Sequence, residues 1–402
     1  MKDTLFIQFY SRIENTNPRF KGHSIYELCN GFSDTYDLCK NKGDFYWVNH
    51  SKQLQGFGQN RIENIKVDLP ISQGTVHVSA YYLSQLYQCY QWALQYPSIN
   101  FIIGGPAANP DVFTTTDFIF PTNMHLTTKT VEEFFNIPNF SGKWNLELPD
   151  NDTSMTLSYT YTLSSVCYWG KCIFCNYSQG SRQRSDIGFE FQDVNYAGKQ
   201  RVNLYTPSMT SKQLKELLYT LNYDEKIRYD IYLRGNESER RALDEIFSNK
   251  TKKLPQVKFI VGVEFPSIRM LKYINKNVTV AGVLKTINMI AEHAHKGIQI
   301  QLPFILGWNN LELNDIVELE NFLSQLPYDK VKFAFSANLL TAKLHTYVFD
   351  NYERKKDLYV GPFFYGFTPL ISDEQMELSK KAIEVLFEQG VTVFDYHNIR
   401  GM

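Results

Sequence analysis

Val166-Cys-Tyr-Trp-Gly-Lys-Cys-Ile-Phe-Cys-Asn176 places three cysteines, Cys167, Cys172 and Cys175, within nine residues of a 402-residue chain. Thiols this closely spaced on one loop can converge on a metal centre, and three are too few to complete a tetrahedral structural zinc site. One coordination position stays open. The other cysteines, Cys29, Cys39 and Cys89, lie far upstream, and 6 in all do not make a disulfide framework in a chain of this length. Thiol ligation in a reducing compartment is the better reading. An iron-sulfur cluster with three protein thiolates keeps one iron free for a small molecule.

Two other readings of the loop stand beside this one. A zinc knuckle needs a fourth ligand nearby, yet no histidine or cysteine follows Cys175 until His293. A redox pair of the C-x-x-C type would use Cys172 and Cys175 but leaves Cys167 and the aromatics Tyr168, Trp169 and Phe174 without a purpose.

The loop resembles that of the radical S-adenosylmethionine (SAM) enzymes, which usually reads C-x3-C-x-aromatic-C after the first strand of a partial α/β barrel. Phe174 stands where the aromatic belongs, whereas four residues, one more than usual, separate Cys167 from Cys172. A second stretch extends the resemblance. Phe259-Ile-Val-Gly-Val-Glu264 reads as a short buried strand, followed by Leu271-Lys-Tyr-Ile-Asn-Lys276 and Val278-Thr279. In the family the fourth barrel strand ends in a similar Gly-x-Glu, and a leucine and an Asn-Lys-x-x-Thr segment lead into the next helix.

That helix follows from the residues alone. Thr279 is a helix N-cap, Val280, Val283, Leu284, Ile287, Ile290, Ala291 and Ala294 recur at three- and four-residue intervals, and Gly297 stops the run. Ile298 to Leu302 alternates as a strand into Phe304-Ile-Leu-Gly307, and Asn314 to Leu326 is helical again. Strand, helix, strand, helix implies a parallel sheet with right-handed crossovers. Strands are expected at Met155 to Thr162, Val202 to Tyr205, Tyr229 to Leu233, Lys258 to Glu264, Ile298 to Phe304 and Val331 to Phe335.

The fold class is therefore α/β: a partial (β/α)6 barrel of the radical SAM kind over residues 153–340, preceded by a Rossmann-like α/β domain over 1–125 and a linker over 126–152. A C-terminal α/β extension over 341–402 is expected, placed where it could face the substrate and cap the open barrel. The linker is read from Pro138, Pro149 and its asparagines. In the extension, Ser372 with Gln375 forms a capping box for a helix to Glu388, before a strand from Val391 to Phe394. In the first domain, strands are expected at Thr4 to Tyr10, Thr75 to Ala80, Ile99 to Ile103 and Asp117 to Phe120, with a helix at Leu83 to Tyr96. The hydrophobic strand running into Gly104-Gly-Pro106 resembles the cobalamin-binding domain ahead of many radical SAM cores, which allows cobalamin as a further cofactor. The Asp-x-His-x-x-Gly signature is absent, and Gly-Gly-Pro serves tight packing equally well. Gly56-Phe-Gly58 reads as loop.

By the same resemblance, a 4Fe-4S cluster on Cys167, Cys172 and Cys175 binds SAM at its free iron. Reductive cleavage of SAM then yields a 5'-deoxyadenosyl radical that abstracts hydrogen from a substrate carbon. Phe174 would lie against the adenine. Arg234, at the end of the third strand, would pair with the SAM carboxylate through two parallel hydrogen bonds, or else form a surface salt bridge with Glu237. Glu264 would accept from ribose hydroxyls or the SAM ammonium, or be a solvated strand end. Gly307 would let backbone approach the adenine, or be an ordinary turn glycine. The family's Gly-Gly-Glu turn is replaced by Thr206-Pro-Ser208, which leaves Ser208 for the SAM amino group.

Composition narrows the remainder. A net charge of -1 gives no electrostatic footprint for nucleic acid. No apolar run approaches 18 residues and no charged-then-apolar leader is present, so a cytoplasmic protein without membrane contact is expected. His293 and His295, two apart on a helix, do not share a face and read as solvated. The 26 tyrosines and 29 phenylalanines suit stacking or peptide contacts, or are simple bulk. Tyr168-Trp169-Gly170 is similar to the Cys-aromatic-Trp-Gly of radical SAM proteins that mature ribosomally made peptides. On that resemblance the partners are a precursor peptide and a flavodoxin- or ferredoxin-type reductase. The alternatives are a cobalamin-dependent radical SAM methyltransferase and a non-enzymatic iron-sulfur electron-transfer or sensor protein. No cysteine follows Cys175, which argues against an epimerase with a late cysteine as hydrogen donor.

Overall fold

The computed structural model describes residues 3–13, 25–28, 39, 41–49, 68–109, 119–129, 131–136, 154–162, 167–175, 196–206, 208–221, 223–249, 254–294, 297–343, 346–360, 363–388 and 392–393. The chain divides into two compact units. One comprises Met1–Thr160, Glu190–Arg201 and Leu358–Tyr365, and the other Tyr161–Phe189, Val202–Asp357 and Gly366–Met402.

In the first unit, β1 (Thr4–Ile13) lies between β3 (Asp44–Asn49) and β4 (Gly74–Ser79), and β5 (Ile99–Gly104) and β6 (Met124–Leu126) continue the sheet beyond β4, all parallel. The far end of β1 pairs antiparallel with β2 (Ile25–Leu28), which pairs in parallel with β7 (Thr156–Thr162). Counting the five parallel strands β1 and β3 to β6 alone, the order is 2-1-3-4-5, the flavodoxin-like arrangement of doubly wound folds rather than the six-stranded dinucleotide order. Its switch point falls between the carboxyl ends of β1 and β4. Alternation explains the core. Leu5, Ile7, Phe9, Val76, Val78, Phe101 and Ile103 point to one face, where α1 (Leu83–Gln95) covers them with Leu86, Cys89 and Trp92. Trp92 stacks on Phe9 with ring centroids 5.9 Å apart. After β5, Gly105 adopts φ 91°, and a Cβ there would lie 2.6 Å from the Ala80 carbonyl oxygen. Glycine is required at this position of the Gly-Gly-Pro turn.

The strand expected at Asp117 to Phe120 is not found where it is described. Ile119 and Phe120 lie outside any strand, Ile119 is 90 % exposed, and Asp117 and Phe118 are outside the described residues. The strand forms instead at Met124–Leu126, because Asn123 donates to the Ala93, Tyr96 and Ile99 carbonyls and anchors the chain at that point. Within the residues expected to form the linker, Leu126 ends β6 and Val131–Phe135 forms a short helix, α2. Gly56 to Gly58, Pro138, Pro149 and His295 lie outside the described residues.

The opposite face of this sheet buries His77, 7 % exposed, against Phe6, Phe134 and Phe135. Burial lowers the imidazole from its ordinary value near 6.5 to about 4. The folded chain therefore holds His77 neutral at pH values where the unfolded chain protonates it. Its contribution to stability is fully present above about pH 6.5 and is lost as the pH falls toward 4, at up to about 1.4 kcal/mol per pH unit. In denaturant unfolding of the full chain, the wild type should lose about 2 kcal/mol more than His77→Leu between pH 7 and pH 5. Equal losses in the two proteins would refute this.

The second unit is mixed α/β around a parallel, curled half-barrel sheet. β8 (Gln200–Tyr205), β9 (Ile227–Leu233), β10 (Gln256–Val261), β11 (Ile298–Leu306) and β12 (Lys332–Leu339) follow one another in chain order, and β16 (Thr392–Val393) pairs in parallel beyond β12. Between them run α3 (Ser211–Thr220), α4 (Glu237–Ser248), α5 (Ile268–Tyr273), α6 (Val280–Glu292) and α7 (Leu313–Ser324). The Thr279 hydroxyl accepts from the Gly282 amide, as its reading as a cap requires. The buried residues Ile231, Leu233, Phe259, Val261, Ile300, Leu302 and Phe304 form one face of the sheet. The other face carries polar groups. Lys258 bridges Asp230 (3.0 Å) and Gln301 (2.8 Å), and Gln301 donates to Ser336 (3.1 Å). A closed barrel fills its interior with branched apolar layers, so this face departs from that pattern.

C-terminal to β12 lie β13 (Ala342–Lys343), α8 (Tyr347–Asn351), the strands β14 (Arg354–Val360) and β15 (Phe363–Pro369), and α9 (Asp373–Glu388). The small sheet orders β13-β15-β14 and was not legible in the sequence. The Ser372 hydroxyl accepts from the Gln375 amide as a cap. The Gln375 side chain does not return the bond expected of a capping box. It binds both the amide and the carbonyl of Leu311, tying α9 to the loop after β11. His293 caps α6 and is exposed, as expected, with one side of its ring stacked on Phe247 at 4.8 Å. No described helix is long and apolar enough to cross a membrane.

Candidate active site

The candidate residues occupy carboxyl ends of successive strands of the second unit. Ser208 follows β8, Arg234 follows β9, Glu264 lies beyond β10 and Gly307 follows β11. The cysteine loop lies against them. The Ser208 hydroxyl donates to the Cys167 sulfur (3.3 Å) and accepts from the Tyr168 amide (3.0 Å), which anchors the start of the loop. Gly170, at φ 57°, returns its amide to the Cys167 sulfur at 3.5 Å. The extra residue between the first two cysteines is thereby absorbed in a tight turn.

A short segment after α5 acts as a shelf for this loop. The Ile274 carbonyl accepts from the Ile173 amide, the Asn275 carbonyl from the Trp169 indole (2.7 Å), and the Asn275 side chain donates to the Lys171 carbonyl (3.0 Å). Asn275 and Asn277 adopt left-handed φ values of 54° and 57°, which asparagine tolerates better than most residues. From the other side, Val348 of α8 donates its amide to the Ile173 carbonyl. The half-buried cysteine sulfurs are thus carried on a loop clamped by α5 and α8 elements.

Arg234 is more committed than its strand-end position implied. Its backbone amide donates to the Glu239 carboxylate, which also accepts from Gly235 and closes the α4 cap with Asn236. Burial raises Glu239 despite these amide bonds. The Arg234 guanidinium lies 5.4 Å from the ring centroids of both Tyr168 and Trp169 and donates to the Lys276 carbonyl. Such cation–π contacts add roughly 0.5–2 kcal/mol each. The alternative salt bridge to Glu237 does not form, because Glu237 pairs with Arg241 one helical turn along.

Glu264 sits at φ 61°, a left-handed conformation costing a non-glycine residue roughly 1–2 kcal/mol. Its amide and carbonyl bridge to Pro303 and Ile305 on β11, which holds it there. The side chain pairs with Lys276 at 2.6 Å. Gly262 makes this pairing sterically feasible, since a Cβ at that position would lie 2.8 Å from the ammonium nitrogen and 2.9 Å from the carboxylate oxygen. Burial pushes the Cys172 thiol up to about 11, opposed by the charges of Lys276 and Arg234 and assisted by those of Cys175 and Glu264. These groups therefore share one electrostatic environment.

Phe174 meets Trp308 edge to face at 5.9 Å, beside Gly307, which has φ 80°. Trp308 is 0 % exposed, donates its indole to the Ile305 carbonyl, and meets Tyr273 at 6.3 Å. Lys276, Asn275, Glu239 and Trp308 were not singled out from the sequence as site residues. Only the Asn275-Lys276 pair gave a signal, as part of the segment leading to Thr279.

Three sulfurs on one clamped loop, with buried cations behind them, fit a group that takes thiolates and carries negative charge. Among the described residues, no three His, Cys, Asp or Glu side chains converge as ligands of a single ion. Thiolates that each hold a different iron of one cluster need not converge in that way.

No protein-family model matches the chain, and no curated protein matches it. Solved structures do. The cobalamin-dependent S-adenosylmethionine radical enzyme OxsB, with aqua-cobalamin and S-adenosylmethionine bound, superposes with a TM-score of 0.54 at 10% identity over 96% of this chain and 66% of that one. The fold is similar to that of OxsB. The apo, selenomethionine-labelled form of OxsB gives a TM-score of 0.48 at 15% identity over 80% of this chain, and the form with aqua-cobalamin alone gives 0.46 at 12% over 82%. The chain spans 51% to 66% of the length of these structures.

Proposed function

We propose that the chain is a radical SAM enzyme whose cluster is a 4Fe-4S centre on Cys167, Cys172 and Cys175. The carrying observation is the clamped cysteine loop at the carboxyl edge of the curled parallel sheet, where Ser208, Arg234, Glu264 and Gly307 also lie. The fold similarity to OxsB supports it. When bound, the cluster supplies the electron that breaks a carbon-sulfur bond of SAM.

The chain's own residues bind and orient. Phe174, backed by Trp308, offers an aromatic surface for adenine, and Gly307 leaves room for a close backbone approach. Glu264 presents a carboxylate for ribose hydroxyls or the SAM ammonium, and Ser208 a hydroxyl for the amino group. Arg234 retains donors beyond its bond to Lys276 for the SAM carboxylate. The substrate we favour is a ribosomally made precursor peptide, on the strength of Tyr168-Trp169-Gly170, and a flavodoxin- or ferredoxin-type protein would be the reductant. Tyr168, 50 % exposed, is available to such a substrate on its outer side.

A second reading, cobalamin-dependent methyl transfer, draws on a separate observation. The first unit has the flavodoxin-like strand order, with its switch point between the carboxyl ends of β1 and β4, and the OxsB structure that the chain resembles holds aqua-cobalamin. Anaerobic incubation of the reconstituted protein with SAM and dithionite should yield 5'-deoxyadenosine by chromatography. An iron-loaded protein that forms none would overturn the assignment and leave an electron-transfer or sensor role. Corrinoid absorbance retained through gel filtration would favour the second reading.

A further inference from the structure

The Lys276–Glu264 pair has no counterpart in the binding roles above. Lys276 is 4 % exposed, a position that lysine rarely occupies without a partner. Its carbonyl receives Arg234, its neighbours Ile274 and Asn275 hold the cysteine loop, and its ammonium is 2.6 Å from Glu264. A Cβ at residue 262 would lie 2.8 Å from this ammonium nitrogen and would push it aside. The bonds of Asn275 to the Lys171 carbonyl and of Ile274 to the Ile173 amide flank Cys172 on both sides, so the segment carrying Lys276 lies directly against this cysteine.

A buried pair of this kind is not an economical source of stability, since desolvation offsets most of its attraction. Its value lies in the field that it imposes on its surroundings. Resting on the cluster reading above, we propose that Lys276 is the counter-charge of the cluster, a positioning residue whose ammonium, oriented by Glu264, stabilises the reduced form and sets its midpoint potential. One electron from an external one-electron reductant enters the cluster and makes it more negative. Cluster potentials respond to net local charge, hydrogen bonding and solvent exposure, and a fixed cation in a buried setting is weakly screened.

The test is a mediated redox titration of the full chain, reconstituted anaerobically with ferrous iron and sulfide and followed by the electron paramagnetic resonance signal of the reduced cluster. Iron and sulfide are counted per chain, so cluster content and potential are separate readouts. Lys276→Met should keep the cluster but raise the oxidised-to-reduced ratio at a fixed poise by about tenfold, equivalent to a midpoint about 59 mV more negative. Glu264→Gln leaves the ammonium uncompensated and should shift the midpoint in the opposite direction. Lys276→Arg should restore part of the wild-type value. If both variants retain the wild-type midpoint, or both move in the same direction, the proposal is wrong. If Lys276→Met cannot hold the cluster, the Glu264→Gln shift decides alone. A wild type that holds a cluster but does not cleave SAM defeats the enzyme assignment and leaves this inference standing, whereas a wild type without a cluster defeats both.

Discussion

Cys172→Ser is expected to abolish both the iron-sulfur signal and 5'-deoxyadenosine formation, with the chain still folded. Serine offers a hard oxygen in place of a soft thiolate, a poor exchange for an iron-sulfur cluster. The position is also unforgiving. Burial holds the Cys172 thiol at about 11, so loading must expel a proton that only a strong metal–sulfur bond repays, and Lys276 and Arg234 favour the thiolate that results. The loop should keep its shape, because its anchors are backbone and neighbouring groups: Trp169 to Asn275, Ile173 to Ile274, and Ser208 to Tyr168. Iron and sulfide analysis beside circular dichroism checks this. Cys89→Ser, in the buried core of the first unit, is the control and should retain full iron. Wild-type iron content in Cys172→Ser would remove the cluster assignment.

The second large effect is on stability. Trp308→Ala should cost about 3–5 kcal/mol in denaturant unfolding, the usual range for truncating a large aromatic in a core. Trp308 is fully buried, fills the space between Phe174 and Tyr273, and donates to the Ile305 carbonyl. Its loss leaves a cavity and removes the only described ring packed on Phe174. SAM binding should therefore weaken together with stability, measurable by calorimetry on the reconstituted protein. Trp308→Phe keeps most of the packing and loses one hydrogen bond, so its cost should be near 1 kcal/mol. A cost below about 1 kcal/mol for the alanine variant would show that the site closes up without the indole.

Much of the second unit was legible because periodicity reports it directly. The helix Val280–Glu292 and the strand Ile298–Leu306 were readable from apolar spacing, and Thr279 and Ser372 were readable as caps from residue type. The reading of β10 as far as Glu264 was too long, because Phe259 to Val263 is apolar apart from Gly262 while the strand ends at Val261 and Glu264 keeps only an isolated bridge to Phe304. Glu264 then turns left-handed to reach β11, and no local pattern encodes a conformation that distant backbone groups impose. The same holds for Gln375, whose side chain abandons a local cap for Leu311, 64 residues away. Short strands such as Met124–Leu126 and Ala342–Lys343 carry too few residues for alternation to show.

What the sequence determined by itself was local: where three thiols share one loop, which helices have an apolar face, and which turns need glycine, each set by side-chain type and local spacing. The tertiary structure decided the couplings, which depend on approach across strands: that Lys276 meets Glu264 over Gly262, that Arg234 lies between Tyr168 and Trp169, and that Asn275 supports the cysteine loop. Charges and carbonyls far apart in the chain acquire roles only when packing sets their distance, and linear order carries no record of that distance.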